Sequence, residues 1–272
     1  MPAQRKTGFV ERPDAEIYYE CAGSGPAIVF AHGLGGNHLS WWQQVPHFQE
    51  RHTCVVFAHR GFTPSKERPG GAGAEAYADD LAALLDRLGI ERASLVCQSM
   101  GGWTGIDFAL RSPERVSALV LASTSGRVDF TTVEGPEAAA VKAWQAETAN
   151  ARDLLLAEGV HPALGARGAR EQPAAHFLYQ QIDALTPPAH KERIRKQIFA
   201  LRNLPAATLK KLAMPVLYIV GEEDVVFPAI AAPALARLTP GARVEPVPQA
   251  GHSVYFERPQ RFNALIEAFL RR

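Results

Sequence analysis

Hydrophobic positions along the chain switch between two periods. EIYYECA (Glu16–Ala22) alternates and is rich in tyrosine, the pattern of an antiparallel strand. AIVFA, the run Thr53–Ala58, ASLVCQ and RVSALVLAS are short and continuously apolar, as strands buried on both faces of a parallel sheet should be. WWQQVPHFQE reads as a short helix. YADDLAALLDRL (Tyr77–Leu88) and MGGWTGIDFALR repeat apolar residues at helical spacing, and the first stops at Gly89. This order predicts an α/β fold: a mostly parallel, doubly wound sheet with helices on both faces.

The alternation stops after Gly126. From about Arg127 to Lys211 no segment has a convincing strand pattern. Helical pieces such as EAAAVKAWQAETANARDLLLAE and HKERIRKQIFALRNL are separated by Pro and Gly clusters. The sheet pattern resumes at MPVLYIVGEED, continues at RVEPV and ends in the helix PQRFNALIEAFLRR. The expected organisation is a core domain of residues 1–126 and 212–272, with a helical cap of residues 127–211 inserted after the sixth strand. Such an insertion adds little loop-closure entropy. At the carboxyl edge of a sheet it would cover a site as a lid.

Composition narrows the class. The chain has 272 residues, 47% of them hydrophobic and 21% charged, with a formal net charge of +1. That balance supplies no global field for nucleic acid or an anionic membrane surface. No apolar run approaches the roughly 20 residues of a membrane span, and MPAQRKTGFVERPD has no secretory apolar core. Cys21, Cys54 and Cys97 lack metal or redox spacing and read as buried, reduced thiols. The default is a cytoplasmic enzyme or binding protein, monomer or homodimer, acting on a small molecule. No metal or organic cofactor is implied.

LVCQSMGG (Leu95–Gly102) lies between a predicted strand and a predicted helix. A sharp turn there would expose Ser99, and its neighbours must be small because the backbone doubles back. Gly101 and Gly102 meet that need. Cys97 stands where a first glycine is usual, and reads as a tolerated small, buried residue. Serine is a weak nucleophile without a base. Asp224 ends the strand VLYIVGEED, and His252 lies in the loop GHSVYFERP after the next strand. The order Ser99, Asp224, His252 fits His252 as proton acceptor and Asp224 as its orienting acid; Glu222 and Glu223 are the alternative acids. The glycine-rich HGLGG (His32–Gly36) follows the strand AIVFA. The N–H groups of Leu34 and Met100 are the expected oxyanion donors. His32 reads as a structural histidine bonded to loop backbone.

Together HGLGG, HRGFTPS, CQSMGG, GEED and GHSVYFERP resemble the α/β-hydrolase fold superfamily over essentially the whole chain. The likeness is to bacterial capped esterases, enol-lactone hydrolases and carbon–carbon bond hydrolases. It implies that Ser99, Asp224 and His252 form a catalytic triad. The family pattern D-x-R-G-x-G-x-S reads here Ala58-His59-Arg60-Gly61-Phe62-Thr63-Pro64-Ser65, without its Asp and second Gly. His59 is expected at the surface or in packing. Gly33, Trp42 and Trp144 are the candidate substrate contacts; Arg167, Arg170, Arg193 and Arg195 have the chemistry to hold a carboxylate, but surface solvation is the expectation for each.

These features rank a serine hydrolase of a small carboxylic ester or lactone first. Carbon–carbon cleavage of a vinylogous diketone acid is the alternative on the same triad. Relatives of that kind often carry tryptophan after the catalytic histidine, where this chain has Ser253. A non-catalytic binding protein on the same fold is the third reading. All three triad residues are present, which counts against it.

Overall fold

The alternating and continuous apolar runs join in one sheet. The computed structural model describes residues 5–271, the side chains at 145 and 149 excepted. In chain order the strands are β1 (Lys6–Arg12), β2 (Ala15–Ala22), β3 (Ala27–Ala31), β4 (Thr53–Phe57), β5 (Lys66–Glu67), β6 (Ala93–Gln98), β7 (Val116–Ala122), β8 (Val128–Asp129), β9 (Leu204–Pro205), β10 (Val216–Gly221) and β11 (Arg243–Val247). Their order across the sheet is β1-β2-β4-β3-β6-β7-β10-β11, with the two-residue β5 on β2. The pairs β1–β2 and β2–β4 are antiparallel, and every pair from β4 to β11 is parallel.

Helices cover both faces. α2 (Tyr77–Leu88), α3 (Gly101–Arg111) and α8 (Ala231–Leu238) bring Leu81, Leu84, Ile106 and Leu235 onto Val29, Leu95 and Leu119. On the other face α1 (Val45–Phe48), α9 (Val254–Glu257) and α10 (Pro259–Leu270) bring Phe48, Phe256, Phe262 and Ile266 onto Phe30, Val96 and Val120. Leu95 and Val96 thus serve opposite cores, which is why the β6 run is apolar at every position. β1 has only Val10 buried among its residues, so its sequence shows no comparable pattern.

Between β7 and β10 the chain forms α4 (Ala138–Ala157), α5 (Ala166–Glu171), α6 (Pro173–Ala184) and α7 (Pro188–Leu201). β7 is the sixth of the longer strands. The expectation of no strand between 127 and 211 is corrected at the neck, where β8 and β9 pair in parallel. A two-residue pairing has no periodicity to read. Ile194 and Ile198 of α7 pack on Met100 and Trp103, while Tyr179 and Ile182 of α6 join the core beside Tyr255 and Phe256. The excursion therefore rests on the start of α3 and on α9. No helix among the described residues is long and apolar enough to cross a membrane.

Candidate active site

β3 and β6 are neighbours, yet the chain runs outward from β3 to β4 before returning to β6. That reversal opens a crevice at their carboxyl ends. Ala31 pairs with Cys97, so the His32–Gly36 loop and the Gln98–Gly102 turn emerge side by side.

Ser99 holds φ +48°, in the left-handed region. For a residue with a side chain this costs about 1–2 kcal/mol and persists only where both flanks fix it. Here its N–H donates to Ala122 O at 3.0 Å, and α3 starts two residues later. A Cβ on Gly101 would overlap Ala31 O, and one on Gly102 would overlap the Thr124 side chain. Ser99 is partly exposed while Gln98 and Met100 are buried, so the turn presents the serine alone. Cys97 is buried against the bare face of Gly105 on α3. Burial pushes its thiol pKa up, so the group stays protonated and unreactive.

The neighbouring loop approaches closely. A Cβ on Gly33 would overlap Gln98 Oε1 and come within 3.2 Å of Ser99 Cβ. Gly33, expected to contact substrate, thus lies directly against Ser99. Neither the Leu34 nor the Met100 N–H donates to a backbone acceptor outside the regular elements among the described residues. Leu34 packs beside Met100 in the same apolar cluster.

Asp224 and His252 meet across the ends of β10 and β11. His252 Nδ1 lies 2.9 Å from Asp224 Oδ2, and both side chains are nearly fully buried. Asp224 Oδ1 accepts from the N–H groups of Val226 at 2.7 Å and Phe227 at 2.9 Å, which aims its other oxygen at the ring. The alternative acids are elsewhere: Glu222 is exposed and Glu223 pairs with Arg167 at 2.8 Å. No hydrogen bond joins Ser99 to His252. Their loops are linked by the Gln98 amide, which donates to His252 O at 3.4 Å.

Two further parts of the site are a histidine pair, in which His59 has the packing role expected of it, and a buried glutamate. His59 is buried and bonded, with Nδ1 3.0 Å from His32 Nε2 and Nε2 2.8 Å from Thr104 Oγ1. His32 Nε2 also accepts from the His59 backbone N–H at 2.9 Å, so its proton lies on Nδ1, which donates to Gly33 O at 2.7 Å. The tautomer that satisfies every contact has His59 donating through Nδ1 and accepting the Thr104 hydroxyl proton. Burial pushes His32 down to about 3, and burial with the neighbouring His32 pushes His59 well down too. Both rings stay neutral and connect α3 to the glycine loop. The second part is Glu257, whose Oε2 accepts from Gly251 N and Gly165 N, each at 3.1 Å. It ties the residue before His252 to the start of α5. Burial raises its carboxyl to about 6.

Two expected substrate contacts are not gathered here by any contact that builds the site. Trp42 is 45% exposed with its ring edge on Phe256, while its neighbour Trp41 is fully buried. Trp144 is half-buried on α4, where its carbonyl accepts the Thr148 hydroxyl.

The family model for the alpha/beta hydrolase fold matches residues 26–259. The 3-oxoadipate enol-lactonase 2 of Acinetobacter baylyi is 27% identical over 281 residues, spanning 100% of this chain and 99% of its own. Among solved structures, Est816, described as an N-acyl homoserine lactone degrading enzyme, superimposes with a TM-score of 0.79 at 30% identity, covering 96% of this chain and 100% of its own. A thermophilic esterase from Thermogutta terrifontis superimposes with a TM-score of 0.76 at 27% identity, over 99% of this chain and 98% of its own. With a matching family model over most of its length and the fold laid out above, the chain belongs to the alpha/beta hydrolase fold family.

Proposed function

We propose that the protein is a serine hydrolase that cleaves a carboxylic ester or lactone through an acyl-enzyme. One observation carries the reading: the buried His252–Asp224 pair at 2.9 Å is tied through the Gln98 amide to the turn that holds Ser99 at positive φ. With the proton on Nδ1 facing Asp224, His252 Nε2 is the basic nitrogen. It takes the Ser99 hydroxyl proton as Oγ attacks the substrate carbonyl. The resulting oxyanion is held by the Leu34 and Met100 N–H groups, each worth roughly 3 kcal/mol in the transition state. Collapse breaks the bond to the alkoxide, which leaves with the proton from His252. Water then attacks the acyl-enzyme by the same route in reverse roles. For a lactone the alkoxide stays tethered, and one hydroxy acid is released. The helical segment 127–211 serves as the lid. The enol-lactonase and esterase relatives support this chemistry.

Purified protein assayed on p-nitrophenyl acetate, butyrate and octanoate, with Ser99→Ala alongside, tests the reading. Turnover in the wild type and none in the variant is expected. Turnover retained by Ser99→Ala removes the mechanism.

A further inference from the structure

The arginines of the cap differ in what they face. Arg167 pairs with Glu223, Arg193 with Glu67 and Arg195 with Glu192. These three guanidinium groups already have a carboxylate partner. Arg202, at the exit of α7, is different. Its Nε is buried without a hydrogen-bond partner among the described residues. Its guanidinium carbon lies 5.1 Å from the Trp103 ring centroid, 5.0 Å from Phe130 and 5.2 Å from Phe199. Ring faces attract the cation, but they do not replace the in-plane acceptors its N–H fork needs. Asp129 is the carboxylate whose charge acts on it, and Asp129 Oδ1 is held by Thr131 N at 2.9 Å and Thr131 Oγ1 at 2.7 Å. Burial, and then the positive charge of Arg152, pull Arg202 down to about 10, so it stays cationic at neutral pH.

The position of this group ties it to the candidate active site. Trp103 lies one turn along α3 from Ser99. Phe130 meets Phe227 edge to face at 5.7 Å, and the Phe227 N–H is held by Asp224. Arg152 reaches the same acid loop, donating to Val225 O at 2.9 Å and Val226 O at 3.3 Å. The three rings, from α3, the neck and α7, flank the cation, and Phe130 connects it to the acid loop through Phe227. An Arg202 Nε cut off from water and from any acceptor is costly to keep. A carboxylate supplied by a ligand offsets that cost, because its two oxygens match the fork.

We propose that Arg202 anchors a carboxylate carried by the substrate, so that the ester or lactone cleaved here is an anionic one. This rests on the serine hydrolase reading for its kinetics, but not for its binding.

The test compares two acyl esters of similar length, p-nitrophenyl butyrate and the mono-p-nitrophenyl ester of glutaric acid, at fixed ionic strength. The wild type is expected to favour the charged ester in kcat/KM, and Arg202→Met to lower the charged-to-neutral ratio by about tenfold to a hundredfold. Arg202→Lys keeps part of the preference. Lys196→Met, which removes an exposed cap cation, keeps the wild-type ratio. A wild-type ratio at or below one, or an Arg202→Met loss equal for both esters, overturns the proposal. Calorimetry of glutarate binding to Ser99→Ala and to Ser99→Ala/Arg202→Met reads the subsite without turnover. If neither ester is hydrolysed but glutarate binds the first protein and not the second, the anion site stands and the hydrolase reading falls. If esters turn over with no charge preference and glutarate binds neither, the anion site falls alone.

Discussion

Cys97 and Gly105 occupy one shared space: the Cys97 sulfur fills the volume where a Cβ on Gly105 would sit. Cys97 on β6 fits two residues before Ser99, where a glycine is usual, because α3 has given up a side chain opposite it. The two positions should behave as a pair. Gly105→Ala is expected to cost about 1–3 kcal/mol by overpacking. Adding Cys97→Gly should recover most of that, giving a coupling of at least roughly 1 kcal/mol in a double-mutant cycle of urea melts. Simple additivity of the two single variants would contradict the shared space.

Ser99 makes a second prediction through its backbone. At φ +48° alanine inherits the strain and glycine does not. Ser99→Gly and Ser99→Ala should be equally inactive, yet Ser99→Gly should be the more stable by roughly 1 kcal/mol. Thermal melts of the two proteins decide it; an alanine variant as stable as the glycine variant would mean the turn is unstrained.

Asp224→Asn keeps an oxygen for the Val226 and Phe227 N–H groups but places an amide against the imidazole. The favoured histidine tautomer then carries its proton on the wrong nitrogen. We expect kcat to fall by about 10⁴-fold with the melting temperature little changed. A loss below roughly tenfold would point to a different acid.

Glu257 predicts a pH dependence of stability. Burial raises its folded carboxyl to about 6, above the ordinary glutamate value, so the folded protein binds its proton more tightly than the unfolded chain does. Stability from this group is thus fully present below the unfolded value and falls as pH rises towards 6, by roughly 2 kcal/mol in all. Glu257→Gln, which carries no titrating group, should flatten that part of the profile. Denaturant midpoints of both proteins at several pH values between about 4 and 7 provide the check. Parallel profiles would show that Glu257 is not the source.

The residues easiest to read were those whose neighbours lie next to them in sequence. Ser99, Gly101 and Gly102 share one turn, and α2 ends at Gly89, whose φ of +65° its sequence position foretold. The parallel strands were legible because burial on both faces leaves no polar position. β1 was not, since only Val10 of KTGFVER is buried. Arg202, and the partner of the packed His59, were illegible for another reason. Whether a cap arginine has an acid beside it, or a histidine a second histidine, depends on segments far apart in the chain. Arg193 finds Glu67 across 126 positions, while Arg202 finds three rings. Trp41 and Trp42 are adjacent letters, yet one is fully buried and the other 45% exposed.

The neck pairing has a consequence for changes of chain length. Val128 lies beside Leu204 and Asp129 beside Pro205, so the chain departs from the core and returns to it through a single clasp. Everything between those points lies outside the strand pairing of the main sheet, so a change of length there would leave the register of β3, β6, β7 and β10 untouched and would be felt instead through the side chains, such as Tyr179 and Ile198, that the segment seats on the core.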